Sequence, residues 1–158
     1  MSRRKVVLAL DPASEEANYT VEWIIENFLK PEKDDVYLVS ALPLTSDFEA
    51  TELGMNINYA AEYIMNWEKE IEQKTRDSLQ EYVNKLQLSN ISVTLEIVKS
   101  KIDTSNVIVD YTEQMKADVL IMGSRDLSTW KRLFVGSFSD YCQQHAHCPV
   151  LIVKSRRT

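Results

Sequence analysis

The amino-acid sequence predicts an α/β protein built on a single doubly wound sheet of five parallel strands, in the order 3-2-1-4-5, with helices on both faces. Short apolar runs rich in β-branched residues alternate along the chain with segments of helical periodicity. The runs are apolar on both sides of the strand, which is typical of parallel sheets covered by helices on both faces. With 158 residues, the chain is too short for an eight-stranded α/β barrel and is expected to form one domain, residues 1–158.

Five runs are the predicted strands. Each is four to eight residues long and consists mainly of Val, Ile and Leu. Pro12, Pro43 and Gly123 follow three of them closely and are expected to end those strands. In chain order the predicted strands are Lys5–Leu10, Val36–Leu42, Ile91–Val98, Val119–Met122 and Val150–Val153.

The first predicted helix begins at Ser14, a residue type favoured at N-caps, and ends before Pro31. Glu15 and Glu16 are then in its first turn, where the helix dipole favours acidic side chains. Three further helices are predicted at about 55–88, 104–115 and 138–147, the last stopped by Pro149. The long second helix has one apolar face, formed by Ile57, Ala61, Ile64, Ile71, Leu79, Tyr82 and Leu86.

The strand order follows from how parallel strands are connected. Right-handed crossovers and a chain that starts at the centre of the sheet give the order 3-2-1-4-5, which is a Rossmann-like arrangement. In such sheets the ligand crevice lies beyond the carboxyl ends of the strands, where the winding reverses. Here that place is between strands 1 and 4, which Asp11 and Gly123 follow directly.

Composition excludes several classes of partner. The formal net charge is −6, from 18 basic and 24 acidic residues, so the chain has little to gain from the counterion release that drives nucleic-acid binding. No apolar run approaches the ~20 residues of a membrane span, and the N-terminal residues do not resemble a signal peptide. Two cysteines are expected to be free thiols in a reducing compartment, which favours a cytoplasmic location.

The segment from Met122 to Ser137 contains two of the three glycines of the chain. Gly123 leaves a predicted strand, and Gly136 precedes a predicted helix whose N-terminal N–H groups could bind phosphate. Arg125, Lys131 and Arg132 add positive charge between the glycines. The pattern is neither a P-loop nor a dinucleotide fingerprint, and from the residues alone a phosphate cradle and plain turn glycines are equally good interpretations.

Residues 117–154, ADVLIMGSRDLSTWKRLFVGSFSDYCQQHAHCPVLIVK, resemble the C-terminal signature of the universal stress protein family, and VVLALDPASEEA resembles its first strand. The resemblance covers nearly the whole chain and is weakest between Pro43 and Leu88. It implies the 3-2-1-4-5 sheet already predicted and, as in many members, a dimer formed through the fifth strand. It also implies ATP binding, which some members show and others lack.

The resemblance implies a role for each position that matches the ATP-binding pattern. In that pattern Asp11 contacts the ribose or the adenine, Val39 and Ser40 border the adenine at the end of strand 2, and Met122 and Gly123 form the floor under the base and ribose. Gly136, Ser137 and Ser139 hold the phosphates. Arg125, with its positive charge, and Asp126 and Phe138 complete the set of candidate site residues.

Two of these positions depart from the family pattern. Phe138 stands where a smaller residue is usual, and Asp126 stands where the pattern has its second glycine. The Asp126 carboxylate is expected to repel a polyphosphate unless a magnesium ion bridges the two. We therefore expect an ATP-binding regulatory dimer, with magnesium as a companion ion. The alternative is a nucleotide-free dimer that acts through protein contacts.

Other functions have less support. A slow ATPase is disfavoured because no residue is evidently placed to orient an attacking water, so the chain is not expected to be an enzyme. A zinc site could be suggested by Cys142, His145, His147 and Cys148. However, His145 and His147 are two residues apart on the predicted helix and do not face each other.

The apolar strand Val150–Val153 is predicted at a sheet edge, where antiparallel pairing with a second copy gives a two-fold symmetric dimer.

Overall fold

The computed structural model describes residues 2–44, 57–124 and 137–155. Within these ranges the chain forms one five-stranded sheet in the order β3-β2-β1-β4-β5, with every neighbouring pair parallel, which confirms the predicted fold class. The strand bounds differ from the predicted ones by at most two residues. The elements are β1 (Arg4–Ala9), α1 (Ala17–Asn27), β2 (Asp34–Pro43), α2 (Ile57–Leu88), β3 (Ser92–Ser100), α3 (Thr104–Gln114), β4 (Val119–Gly123), α4 (Ser137–His145) and β5 (Val150–Val153).

The sheet has a buried cluster on each face because successive strand residues point to opposite sides. Val6 and Leu8 of β1 face the helices α1 and α2, and both side chains are fully buried. Val7 and Ala9 face α3 and α4 and are also buried. A strand covered on both sides is apolar at nearly every position, which is why the central strands β1 and β4 form continuous apolar runs in the sequence.

The start of α1 differs from the prediction. The helix begins at Ala17 with Glu16 as its N-cap residue, so Ser14 is not the cap and the two glutamates precede the first turn. The Ser14 hydroxyl instead accepts a hydrogen bond from the amide of Glu16 at 3.2 Å, and the Ser14 amide donates to the Asp11 carbonyl at 3.0 Å. Ser14 therefore belongs to the turn that leaves β1, where its short polar side chain bonds to nearby backbone.

Helix α2 is much longer than the sheet it covers. Its 32 residues extend over about 48 Å at the α-helical rise. Among its described side chains the fully buried ones lie near the C-terminal end, and they are Leu79, Tyr82, Val83 and Leu86. Ala61 is exposed and Ile64 and Ile71 are half-buried, so the predicted apolar face covers the core along the last part of the helix only.

An ion pair shows where α2 passes the end of the sheet. Lys99, the second-last residue of β3, contacts Glu72 at 2.7 Å. The helix runs antiparallel to β3, so its residues before Glu72 project beyond the carboxyl edge of the sheet. In this part of the helix Tyr59 is 71% exposed and Met65 is 57% exposed.

Candidate functional site

The carboxyl ends of β1 and β4 are adjacent at the centre of the sheet. Ala9 of β1 pairs with Met122 of β4 on one side and with Val39 of β2 on the other. After β1 the chain enters α1, which packs on one face, whereas α4 after β4 belongs to the buried cluster of the opposite face. The two connections diverge at this edge, so the winding reverses here as predicted, and a ligand crevice is expected between them.

Asp11 lies at the exit of β1, where the sequence placed it. Asp11 is only 1% exposed, and its Oδ1 accepts a hydrogen bond from the amide of Ala13 at 2.9 Å. The Ser14 amide donates to the Asp11 carbonyl, which closes the turn. These bonds close the turn after β1 and orient the Asp11 carboxylate within it.

Val39 and Ser40 are not at the end of their strand. β2 continues to Pro43, which pairs with Ser100 of β3. Val39 is fully buried in the cluster that contains Ala9 and Met122, and its carbonyl accepts a hydrogen bond from the Leu10 amide at 3.0 Å. Val39 thus lies level with the end of β1. Ser40, 2% exposed, is the next residue along the strand and points to the opposite face.

Met122 and Gly123 form the end of β4. The Met122 side chain is 1% exposed and belongs to the same cluster as Ala9 and Val39. Gly123 pairs with Val153 of β5, and the Ser124 amide donates to the Val153 carbonyl at 2.9 Å. β4 and β5 therefore remain joined up to the residue that leaves the sheet.

Helix α4 starts at Ser137, immediately after Gly136 in the sequence. Because it connects two parallel strands, its N-terminus is at the carboxyl edge of the sheet. Phe138 is 2% exposed and part of the buried cluster on this face, so its ring packs in the core. Ser139 is half-buried, and Asp140 is exposed in the first turn.

Three of the residues implied by the sequence motif, Arg125, Asp126 and Gly136, lie outside the described residues. The backbone of Ser137 is described, but its side chain is not. The described part of the site thus consists of the β1 exit, the end of β4, the start of α4 and the middle of β2.

Glu16 is a further residue of this region, which the sequence predicted only as an acidic residue in the first turn of α1. Its Oε1 accepts a hydrogen bond from the Ser155 hydroxyl at 2.6 Å, and its Oε2 accepts a longer one from the Ser124 hydroxyl at 3.4 Å. One carboxylate therefore joins the start of α1 to the residues that follow β4 and β5. The serines are 108 and 139 positions away in the chain, and no sequence pattern connects them to Glu16.

The cysteines and histidines near the C-terminus are separated by packing. Cys142 is fully buried, and burial raises its pKa to about 12. The His145 ring stacks on Tyr141 with 4.0 Å between ring centroids, and His147 Nε2 lies 3.2 Å from the Ala117 carbonyl oxygen. Across residues 2–44, 57–124 and 137–155, no group of three or more His, Cys, Asp or Glu side chains could hold a metal ion.

The strand order, the reversal point between β1 and β4 and the helix that starts beside it define a doubly wound α/β protein with its switch point between β1 and β4. The model of the universal stress protein family matches residues 2–154, and the chain belongs to that family. None of the helices in the described ranges is both long enough and apolar enough to cross a bilayer.

Two curated relatives come from Arabidopsis thaliana. The universal stress protein A-like protein is 26% identical over 84% of this chain and 75% of its own length. The universal stress protein PHOS32 is 26% identical over 97% of this chain but only 65% of its own length.

Solved structures share the fold at low sequence identity. The structure of the hypothetical protein MJ0577 has a TM-score of 0.75 at 20% identity and covers 100% of both chains. The Arabidopsis thaliana protein At3g01520, solved with AMP bound, has a TM-score of 0.64 at 19% identity, covering 97% of this chain and 92% of its own. The universal stress protein of Archaeoglobus fulgidus in complex with dAMP has a TM-score of 0.65 at 19% identity, covering 98% and 100%.

Proposed function

We propose that this chain is a regulatory protein that binds an adenine nucleotide, ATP above all, in the crevice between β1 and β4. One observation carries the proposal. Asp11 follows β1, and β1 is the direct neighbour of β4, whose buried end is Met122–Gly123, at the sheet edge where α4 begins. The AMP and dAMP held by two proteins of the same fold support the choice of adenine nucleotides.

Each described element has a chemical task in this proposal. The Asp11 carboxylate can accept hydrogen bonds from ribose hydroxyls. Gly123 has no Cβ, so the sugar can approach the backbone closely. The N–H groups in the first turn of α4 lie at the positive end of the helix dipole and suit phosphate oxygens. Arg125 and the companion magnesium ion belong to the same proposal.

The proposal includes a dimer in the cytoplasm, formed by antiparallel pairing of two β5 strands. In the described sheet β5 is an edge strand that pairs with β4 alone. Its first three residues, Val150, Leu151 and Ile152, are only half-buried in one copy. An apolar edge with unpaired backbone groups is a surface that a second copy can cover.

The proposal does not include catalysis. Binding without turnover lets nucleotide occupancy select a conformation or a partner, and it needs no residue that orients an attacking water. Purified protein mixed with ATP and magnesium should therefore release phosphate at the rate of a buffer blank. Multiple turnovers that a substitution at Gly136 abolishes would show that the chain is an enzyme.

The direct test of binding is a calorimetric titration with AMP, ADP and ATP, with and without magnesium, after any co-purified nucleotide has been identified and removed. Asp11→Ala should weaken binding of all three nucleotides by about tenfold or more, because it removes a hydrogen-bonding carboxylate from the site. Asp103→Ala, at the exposed residue that precedes α3, is the matched control and should bind as the unmodified protein does. Absence of binding at millimolar nucleotide contradicts the proposal.

A nucleotide-free dimer is the second candidate, and the burial of Phe138 favours it. A large aromatic ring packs beneath the first turn of α4, where the family pattern has a smaller residue. If the bulk of this ring keeps the turn away from the phosphates, Phe138→Val should restore nucleotide binding to a protein that otherwise has none.

A further inference from the structure

The residues that follow β5 affect the position of Gly123, a residue of the proposed nucleotide site. β5 is four residues long and lies at the edge of the described sheet, held on one side only by β4. Short edge strands open easily because few backbone bonds hold them. The register of β5 decides where Gly123 lies, since Gly123 pairs with Val153 and the Ser124 amide donates to the Val153 carbonyl.

Glu16 connects this edge strand to the start of α1. Its carboxylate accepts a hydrogen bond of 2.6 Å from the hydroxyl of Ser155. Ser155 is half-buried and lies two residues after the end of β5, so this bond connects β5 to the start of α1. A hydrogen bond to a charged acceptor of this length is among the strong ones in proteins. The second carboxylate oxygen reaches the Ser124 hydroxyl at 3.4 Å, which adds a weaker link to the residue after Gly123.

We infer that Glu16 is a positioning residue of the nucleotide site and that it acts through its hydrogen bond with Ser155. The inference rests on the proposed function. Glu16 need not touch the ligand: it holds the ends of β5 and β4 in register with the start of α1, and so holds Gly123 against the Asp11 turn before a ligand arrives. A site held in place beforehand binds more tightly because less ordering remains to be done on binding.

An uncharged probe separates this effect from simple electrostatics. Removing the Glu16 charge would also relieve repulsion of phosphates, and the two effects oppose each other for ATP. Adenosine has no charge and reports on positioning alone. Ser155→Ala removes the hydrogen bond while leaving the carboxylate, so it tests the anchor without changing the net charge.

The experiment is a titration of four proteins with adenosine and AMP: the unmodified chain, Ser155→Ala, Ser155→Thr and Glu15→Gln. Ser155→Ala should weaken adenosine binding by about fivefold to tenfold. Ser155→Thr keeps the hydroxyl and should restore affinity to within about twofold. Glu15→Gln removes an exposed carboxylate beside Glu16 and should leave adenosine affinity unchanged.

Hydrogen exchange and thermal unfolding complete the test. Ser155→Ala should accelerate exchange of the Ser124 amide, which bonds to Val153, while the unfolding midpoint falls by only about 2–4 °C. Unchanged adenosine affinity in Ser155→Ala overturns the positioning role, even if stability falls. If the unmodified chain binds neither adenosine nor AMP nor ATP, the proposed function itself fails, and this assignment fails with it.

Discussion

The guanidinium of Arg4 donates two hydrogen bonds to the carboxylate of Asp34, from Nε to Oδ1 at 2.7 Å and from Nη2 to Oδ2 at 2.9 Å. The Asp34 side chain is completely buried, and its Oδ2 also accepts from the Lys30 amide at 2.8 Å. The same guanidinium lies 4.5 Å above the centre of the Phe28 ring. This network joins the start of β1 to the start of β2 at the edge of the sheet opposite the crevice.

Asp34→Asn should lower the free energy of unfolding by about 2 kcal/mol, because a buried charged acceptor of three hydrogen bonds is lost. The neighbouring pair of Arg3 and Asp35 offers a matched control, since both side chains are about one-third or more exposed. Asp35→Asn should cost less than about 1 kcal/mol. Urea unfolding of the three proteins measures both effects. Equal losses at the two positions would show that burial of Asp34 adds nothing.

The same residue gives the stability a pH dependence. Burial opposes ionisation of the Asp34 carboxyl, but hydrogen bonds from Arg4 and Lys30 outweigh it, and the pKa is below the ordinary value of 3.8. Asp34 therefore contributes its full stabilisation above that ordinary value, and the contribution declines as pH falls through the lower folded-state pKa. The urea midpoints of the unmodified protein and Asp34→Asn should differ by a constant amount from neutral pH down to about pH 5 and should converge as the pH falls below about 4. A difference that does not shrink below about pH 4 contradicts the assignment.

Replacing Lys116 with glycine should stabilise the protein. It has a φ of 51° and follows Met115, the C-cap residue of α3, and the Ala117 amide donates to the Thr112 carbonyl at 3.1 Å, which is the Schellman pattern that favours glycine. Lys116→Gly should raise the free energy of unfolding by about 0.5–1 kcal/mol. Lys116→Ala removes the same side chain and keeps the Cβ, so it should give no gain. A gain of the same size in both variants would show that loss of the lysine side chain is the cause.

Asp126 lies outside the described residues, and the prediction for it comes from the sequence motif. Asp126→Gly should tighten ATP binding by about tenfold and make it less dependent on magnesium, because a carboxylate near the phosphates is removed. Asp126→Asn keeps the turn preference and loses only the charge, so it separates the two causes. Calorimetry with and without magnesium measures both variants. Unchanged affinity in both would mean that the carboxylate points away from the phosphates.

Ile152→Lys should weaken the proposed dimer, because it places a charge in the middle of the half-buried β5 edge. Light scattering after size exclusion should give twice the monomer mass for the unmodified chain and a lower mass for the variant. Thr94→Lys adds the same charge to an exposed position on β3, at the opposite edge, and should leave the dimer intact. A monomeric unmodified protein at micromolar concentration rules out the dimer.

The strands and their order could be predicted because burial on both faces leaves a continuous apolar run, as in the fully buried Val6–Leu8. The start of α1 could not, since Ser14 suits a cap and a turn equally well. Nor does helical periodicity show how far a helix extends past its sheet, which is why the exposure of Ala61 was missed. The Glu16–Ser155 bond joins residues 139 positions apart, and only the folded chain brings them together.

The register of β1 also bears on the order in which the chain folds. Val6 pairs with Val36 on one side and with Val119 on the other, so the two pairings close loops of 30 and 113 residues. The longer closure costs about 1.2 kcal/mol more chain entropy, and we expect β1 to pair with β2 before it pairs with β4. Pulse-labelled hydrogen exchange should then protect β2 amides ahead of β4 amides. The crevice lies along the later junction, so its two walls meet only after the first half of the sheet has formed, and a nucleotide bound there would slow their separation during unfolding.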